Sequence, residues 1–221
     1  MMNAAERDLR ERLAQIGRTL FSEGLTHGTS GNISARISGS DKCLIKPSGY
    51  CLGDLKPEHF LIVDNRTREV LEGNGVPSIE TPFHTTLYNL RPEVGGVVHL
   101  HPHYSVILSI TGSEIIPMNM DVYDAPALAR GIAISEFAPP GSEKLAENLA
   151  EALRQGVAAL MPHHGITTVG KTPEEAAQNA RVTERLAKVQ YETSQVGDPK
   201  ALPEAVLSEL VELAVRKGLL I

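Results

Sequence analysis

The order of predicted helices and strands limits most strongly what this chain can fold into. Amphipathic helices and short β-branched runs alternate along its 221 residues, but without a regular strand–helix repeat. A doubly wound parallel sheet requires that repeat, so we expect a three-layer αβα sandwich around a mixed, mostly antiparallel sheet. Because 42% of the residues are hydrophobic and no interdomain linker is evident, we expect a single domain over residues 1–221.

Periodicity and capping patterns predict five helices. The first ends near Gly24, and the third and fourth are capped by Ser142 and Thr172, with Glu175 in capping-box register to Thr172. The run SVILSI (105–110) fits either a helix or a strand, because periodicity cannot decide over six residues. Eight further runs predict strands, namely NISARI, KCLIK, HFLIVD, REVLEG, GGVVHLH, GIAIS, VAALMP and GITTVG.

Charge and hydropathy exclude two classes of partner. The net charge is −6 and no basic block occurs, so we expect no nucleic-acid partner, although a small anionic substrate remains compatible. The charged N-terminal segment does not resemble a signal peptide, and no apolar run is long enough to span a bilayer. We therefore expect no membrane association and, by elimination, a cytoplasmic protein.

The segment GGVVHLHPHYS places three histidines at two-residue spacing after an apolar run. On a strand, residues two apart point to the same face, so the imidazoles of His99 and His101 can reach one metal ion. His103 follows Pro102, which is expected to end the strand, so it is less suited to that face. The alternative is that His99 and His101 are buried, hydrogen-bonded core residues.

Two other segments carry metal-ligating or acid–base residues. In MPHHGITT, at most one of the adjacent His163 and His164 can join a common site, and the alternative is a polar turn. Three neutral nitrogen ligands suit zinc with an open position for substrate. In PSIETPFH, Glu80 lies where a helix begins, and a carboxylate there can act as ligand or base. His84 lies one turn further along and could partner Glu80, cap the helix or simply pack.

The loops HGTSGN and KPSG are rich in Gly, Ser and Thr. Such loops can hold phosphate through backbone N–H groups and hydroxyls, but most of them are only turns. Neither matches a P-loop, and no strand–GxGxxG–helix unit occurs, so a nucleotide cofactor is not expected.

Taken together, five segments resemble those of the class II aldolase/adducin-head family, with a pattern nearest to its L-fuculose-1-phosphate aldolases. The segments are GTSGNIS, LIKPSG, PSIETPFH, VVHLHPHYS and HHGI. The resemblance implies an αβα fold, a homotetramer with active sites between subunits, and a divalent metal, usually zinc but alternatively Mn²⁺ or Co²⁺. It places the metal ligands at His99, His101 and His164, with Glu80 ligating the resting metal and moving off it to shuttle the substrate proton.

The resemblance also implies a phosphate pocket for a small phosphorylated sugar. Its residues would be Thr29, Asn32, Ser48, Gly49 and Ser78.

The chain departs from the family pattern in two places. The family commonly has two serines before the acid, and here the second is Ile79, so one anion donor is missing. The proton-donating tyrosine falls on Tyr123, with Asp121 and Asp124 as competing candidates.

The implied activity is a zinc-dependent aldolase that reversibly cleaves an L-fuculose-1-phosphate-like ketose to dihydroxyacetone phosphate and an aldehyde. The vicinal carbonyl and hydroxyl of the ketose would bind the metal, which stabilises the enediolate. The alternatives are an epimerase, dehydratase or decarboxylase that uses the same metal site. A less favoured alternative is a non-catalytic module like the adducin head, which resembles this fold without the metal ligands.

Overall fold

A computed structural model describes residues 4–219 as six α-helices and eight strands. The helices are α1 (Ala4–Ser22), α2 (Thr81–Leu90), α3 (His103–Thr111), α4 (Glu143–Ala152), α5 (Pro173–Ser194) and α6 (Glu204–Arg216). The strands are β1 (Asn32–Arg36), β2 (Lys42–Ile45), β3 (Leu61–Asp64), β4 (Val70–Glu72), β5 (Gly96–Leu100), β6 (Ala133–Ile134), β7 (Ala158–Met161) and β8 (Gly165–Gly170). Each strand falls within a run that the sequence predicts.

All eight strands form one sheet in the order β4-β3-β2-β1-β5-β8-β7-β6. Neighbouring strands run antiparallel except for β6 and β7, which are parallel. The first four strands form a meander, and β5 then pairs with β1 across the centre of the sheet. The central strand β5 is buried along its whole length, which agrees with its continuous apolar sequence.

Helices cover both faces of this sheet. Ile33 of β1 lies beside Gly17 of α1, and Thr168 of β8 donates a hydrogen bond to the Ala176 carbonyl of α5, so α1 and α5 cover the same face. The opposite face carries Ser34, which contacts α2, and α4 packs against α2. The structure therefore confirms the predicted three-layer αβα sandwich with a mostly antiparallel sheet.

The ambiguous run 105–110 is part of helix α3, which begins directly after Pro102. Glu184 of α5 closes its first turn, because its carboxylate accepts hydrogen bonds of 2.9 Å from the backbone N–H groups of Tyr104 and Ser105. At the other end, Gly112 adopts the left-handed conformation that ends the helix. The helix is thus stabilised by a distant carboxylate, which local periodicity cannot reveal.

The predicted helix caps are present, with one difference. Ser142 accepts a hydrogen bond from the Leu145 amide, and Thr172 accepts one from the Glu175 amide. The Glu175 carboxylate accepts from the Lys171 amide instead of closing the capping box on Thr172. Four short 3-10 helices were not predicted, at Leu52–Asp54, Pro57–His59, Met120–Asp124 and Pro126–Arg130. Within residues 4–219, no helix is both long and apolar enough to cross a membrane.

Candidate metal centre and active site

Strand β5 carries the first two histidines of the site. His99 is completely buried and lies opposite Asn32 of β1 and Thr167 of β8. His101 follows the last residue of the strand, on the same face, because residues two apart in extended chain share a face. Their Nε2 atoms are 2.9 Å apart, so both rings point to one place.

The turn between β7 and β8 supplies the third histidine. His163 adopts a left-handed conformation and is exposed, whereas the His164 ring lies with its centroid 4.8 Å from those of His99 and His101. A side chain at Gly165 would lie 2.2 Å from the Leu100 carbonyl oxygen, so glycine is required for the turn to approach β5. The ligating nitrogens of His99, His101 and His164 all lie within 4.8 Å of one another.

Glu80, the residue preceding α2, lies beside this histidine cluster. Its Oε2 is 3.3 Å from His99 Nε2, and its Oε1 is 3.2 Å from His164 Nε2. Asn32 donates a hydrogen bond of 2.7 Å from Nδ2 to Oε2. Oε1 is buried and, apart from this approach of His164, has no hydrogen-bond partner within residues 4–219. This carboxylate oxygen therefore keeps lone pairs that face the histidines and accept no hydrogen bond.

The protonation states fit a metal site. Burial lowers the pKa of His99 to about 3, and burial followed by the charge of His164 lowers that of His101. His99 Nδ1 lies 2.9 Å from the Ile166 carbonyl oxygen, which only accepts, so this nitrogen carries the proton and Nε2 keeps its lone pair. Burial alone would raise the pKa of Glu80, but His99, His164 and Asn32 outweigh it and hold the pKa well below its usual range.

Three imidazoles and one carboxylate form a donor set that zinc and similar divalent cations bind. The 2.9 Å approach of two ring nitrogens needs a cation or a shared proton between them, and a positive charge would stabilise the buried Oε1 of Glu80. These residues therefore fit a divalent metal ion.

The residues predicted for the phosphate pocket lie in three neighbouring segments. Asn32 Nδ2 is 3.3 Å from Ser78 Oγ, and the backbone N–H of Ser48 donates to the Val76 carbonyl at 2.8 Å. Gly49 adopts the left-handed conformation that this turn requires. The third segment is the turn at Thr29, which is exposed. The phosphate-binding role of these residues remains a prediction.

Lys46 joins the turn at Thr29 to the KPSG segment, and the sequence interpretation did not include it. Its side chain is 2% exposed, and Nζ donates a hydrogen bond of 3.2 Å to the Thr29 carbonyl. Burial lowers its pKa to about 8. A lysine within a predicted anion-binding loop was the signal in the sequence that could have identified it.

The predicted proton donor lies apart from the cluster in this chain. Tyr123 belongs to the 3-10 helix Met120–Asp124, is 45% exposed, and makes no hydrogen bond or ring contact to the three histidines within residues 4–219. Asp121 forms an ion pair of 2.9 Å with Arg185, and Asp124 is exposed. The proton-donor role of Tyr123 therefore stays a prediction.

Two further histidines considered in the sequence analysis, His84 and His103, lie outside the ligand set. His103 is the first residue of α3, is exposed, and contacts the Tyr104 ring. His84 is completely buried and lies against Asn32 instead of the histidine cluster. The sequence left three roles open for His84: partner of Glu80, helix cap or packing residue. In the structure His84 contacts Asn32, which in turn donates a hydrogen bond to Glu80.

Comparisons with known proteins indicate the family of this chain. The family model for the class II aldolase and adducin N-terminal domain matches residues 11–191. A 5-methylthioribulose-1-phosphate/5-deoxyribulose-1-phosphate aldolase from Rhodospirillum rubrum is 32% identical over 204 residues, which cover 92% of this chain and 90% of the relative. A 3-oxo-tetronate 4-phosphate decarboxylase from Haemophilus influenzae is 32% identical over 183 residues, which cover 81% of this chain and 85% of the relative.

The fold is also that of a solved structure, an L-fuculose 1-phosphate aldolase. The two share a TM-score of 0.85 and 26% identity, over 96% of this chain and 97% of that one. All three similar proteins are carbon–carbon lyases by name. The chain is therefore a lyase that belongs to the class II aldolase and adducin N-terminal domain family.

Proposed function

We propose that this protein is a zinc-dependent aldolase that reversibly cleaves a small ketose 1-phosphate to dihydroxyacetone phosphate and an aldehyde. The observation that carries the proposal is the Glu80 carboxylate, which lies 3.3 Å from His99 and 3.2 Å from His164 within the histidine cluster. This arrangement combines a metal-binding donor set with an acid–base group at one point. The non-catalytic alternative gives no reason for these four side chains to converge.

His99, His101 and His164 would hold the metal, with Glu80 as a further ligand in the resting state. A bound divalent cation supplies Lewis-acid stabilisation for the negative charge that develops on the ketose oxygens as the carbon–carbon bond breaks. Zinc suits three imidazole ligands with an open position, and Mn²⁺ or Co²⁺ could replace it.

Glu80 would transfer the substrate proton. Its side chain is 8% exposed and ionised, and a single amide donor, Asn32, fixes its Oε2. A buried carboxylate can accept a proton from a bound ketose without competition from bulk water. In the addition direction, Glu80 would take the proton from the carbon of dihydroxyacetone phosphate that attacks the aldehyde, and Tyr123 would donate its phenolic proton to the aldehyde oxygen as this becomes a hydroxyl. In cleavage both protons would move back along the same paths.

The phosphate would bind where Asn32, Ser78 and the turns at Thr29 and Ser48–Gly49 come together. These groups offer amide, hydroxyl and backbone N–H donors, which suit phosphate oxygens. Lys46 adds a positive charge beside Thr29. Ile79 contributes no donor, so we expect phosphate binding to rest on the remaining groups.

The substrate proposal follows the similar proteins. L-Fuculose 1-phosphate and 5-deoxyribulose 1-phosphate are both ketose 1-phosphates with a terminal methyl group, and aldol cleavage of either yields dihydroxyacetone phosphate. We propose an L-fuculose-1-phosphate-like ketose. The decarboxylase relative supports a second candidate, loss of CO₂ from a phosphorylated oxo acid on the same metal site. Epimerase and dehydratase activities are further alternatives.

We further propose that the chain acts in the cytoplasm as one class II aldolase/adducin-like domain and assembles as a homotetramer with active sites between subunits. The side chain of Tyr123 is exposed, so in an assembly it could reach the active site of a neighbouring subunit. This position supports the proposed homotetramer. Sedimentation measurements would test the tetramer.

Product analysis tests the proposed function. The zinc-loaded protein would be incubated with L-fuculose 1-phosphate, 5-deoxyribulose 1-phosphate or 3-oxo-tetronate 4-phosphate, and the products followed by ³¹P and ¹³C NMR. We expect dihydroxyacetone phosphate from a ketose 1-phosphate. Production of CO₂ from the oxo acid alone would assign the protein to the decarboxylases, and no product from any of the three would contradict both candidates.

A further inference from the structure

Polar residues on strand β1 face polar residues on helix α2, at matching spacings. Asn32, Ser34 and Arg36 lie on one face of the strand, and Glu80, His84 and Tyr88 lie at four-residue intervals along the helix. Two strand residues span about 6.6 Å and four helical residues about 6 Å, so the two series stay in register.

The facing residues of β1 and α2 contact each other along the whole series. Asn32 bonds to both Glu80 and His84, and Ser34 lies 2.7 Å from both His84 Nδ1 and the Tyr88 hydroxyl. The Arg36 guanidinium lies over the Tyr88 ring at 4.9 Å. The side chains of Asn32, Ser34, His84 and Tyr88 are all at least 97% buried. A continuous buried chain of hydrogen bonds therefore runs from Tyr88 to the Glu80 carboxylate.

The direction of every bond in this chain follows from its carboxylate end. A carboxylate only accepts, so the amide NH₂ of Asn32 faces Glu80 and its Oδ1 faces His84. Oδ1 in turn only accepts, so His84 carries its proton on Nε2.

The remaining bonds follow in the same way. Burial lowers the pKa of His84 to about 3, so the ring is neutral and its Nδ1 is bare. Ser34 must then donate its hydroxyl proton to Nδ1, which leaves its oxygen to accept from the Tyr88 hydroxyl. All four bonds thus point toward the active site.

We propose that His84 is a positioning residue, which through this one-directional chain holds the Asn32 side chain as a fixed hydrogen-bond donor to the active site. Asn32 directs one N–H to Glu80 Oε2 and lies 3.3 Å from Ser78 Oγ. Without a donor at Oδ1, the amide could rotate and present its oxygen, which would repel a carboxylate or phosphate. With His84 in place, Asn32 can pair only with acceptors.

This role predicts which chemical groups the site selects at Asn32. Carboxylate, phosphate and carbonyl oxygens are acceptors, and each can replace another at the same N–H without rotation of the amide. A group that only donates, such as an ammonium, finds no partner there. The assignment of the acceptor as a sugar-phosphate oxygen rests on the proposed function, whereas the direction of the chain does not.

The tautomer of His84 can be measured without any activity. Long-range ¹H–¹⁵N correlation spectra of the zinc-loaded protein with ¹⁵N-labelled histidine distinguish the two neutral tautomers and the imidazolium. The His84 signal is assigned as the one missing from His84→Gln. We expect a neutral ring protonated at Nε2, and a ring protonated at Nδ1, alone or together with Nε2, would overturn the proposal.

Kinetics test the positioning role. His84→Phe keeps a buried ring but loses the donor, and we expect kcat/KM to fall about 10- to 100-fold, as for other residues that orient site ligands. His84→Gln keeps an N–H near the Nε2 position, and it should recover most of that loss. A core variant such as Leu20→Ala controls for lost stability, because it lowers Tm without touching the chain of bonds.

A double-mutant cycle separates positioning from general damage. If His84 acts through Asn32, then His84→Phe should cost nothing further in an Asn32→Ala background. Additive losses, or equal losses in His84→Phe and His84→Gln at matched Tm, would overturn the positioning role. If the wild-type protein shows no aldolase activity, the proposed function fails, and the tautomer measurement still decides the inference.

Discussion

The Nε2 atoms of His99 and His101 lie 2.9 Å apart, and the His99 Nε2 carries no proton because its Nδ1 donates to the Ile166 carbonyl. Two ring nitrogens at this separation, next to His164, require a cation or a shared proton between them. The geometry therefore predicts that the loss of one ring removes the metal.

We expect His101→Ala to lower bound metal well below one ion per chain and to reduce kcat/KM by at least about 100-fold, because Lewis-acid stabilisation is worth several kcal/mol. Elemental analysis and steady-state kinetics measure both. His103→Ala is the matched control, since His103 is exposed and lies outside the cluster. Full activity in a metal-free His101→Ala protein would exclude the proposed mechanism.

Metal binding should also stabilise the fold. A ligand that binds only the folded state adds about 2.7 kcal/mol at a concentration 100 times its Kd. Chelation should therefore lower Tm, and added zinc should restore it, as measured by differential scanning calorimetry. In His101→Ala this response should be largely lost, and an unchanged response there would place the metal elsewhere.

Lys46 should give a pH dependence to substrate binding. Burial lowers its pKa to about 8, so the ammonium is charged below that pH and neutral above it. Because kcat/KM reports ionisations of the free enzyme, we expect kcat/KM for a sugar phosphate to fall as pH rises through about 8. Lys46→Met should have about 10-fold lower kcat/KM below pH 8, from the loss of one charged hydrogen bond, and should lack this fall.

The same pKa shift has a consequence for stability, with a defined sign. An unfolded lysine titrates near about 10.4, so between about pH 8 and 10 the unfolded chain binds more protons than the folded one. The free energy of unfolding of the wild type should therefore rise with pH across this window relative to that of Lys46→Met. Denaturant titrations at several pH values measure this difference, and parallel curves for the two proteins would contradict the shifted pKa.

Tyr123→Phe tests the proposed proton donor. Loss of a general acid should reduce kcat by about 10²- to 10⁴-fold while bound metal stays unchanged. Because Tyr123 is 45% exposed, Tm should change little. Asp121→Asn and Asp124→Asn are the comparison variants, and a larger loss of kcat in either of them than in Tyr123→Phe would transfer the role.

Ile79→Ser tests the missing anion donor. Ile79 is 65% exposed directly before Glu80, so the substitution should leave stability nearly unchanged. A new hydrogen bond to a phosphate is worth about 1.5 kcal/mol or more, so KM for a sugar phosphate should fall about 10-fold. Val76→Ser, at a similarly exposed apolar residue, is the control, and an equal effect of both would show that any added hydroxyl on this surface lowers KM, without a specific contact to the phosphate.

The sequence was most informative where function depends on local spacing. The alternation of β5 predicted that His99 and His101 share a face, and the start of α2 predicted the position of Glu80. The pairing of β8 with β5 brings His164 to them, and this depends on sheet topology, which no local pattern encodes. The resemblance to a family supplied that step.

Other features escaped prediction because they depend on partners that are distant in sequence. Helix α3 is stabilised by Glu184, 79 residues beyond Ser105, so its own run remained ambiguous. The hydrogen-bond chain through His84 requires the two-residue period of β1 to be matched to the four-residue period of α2. Both periods are readable in the sequence, but their register against each other requires the packed structure.

Release of dihydroxyacetone phosphate from L-fuculose 1-phosphate, coupled to NADH oxidation, tests the proposed function most directly. The zinc-loaded protein would be assayed with and without a chelator, and again after zinc is restored. We expect release that the chelator abolishes and zinc recovers. Release that persists in metal-free protein, or no release from fully zinc-loaded protein, would contradict a metal-dependent aldolase that acts on this substrate.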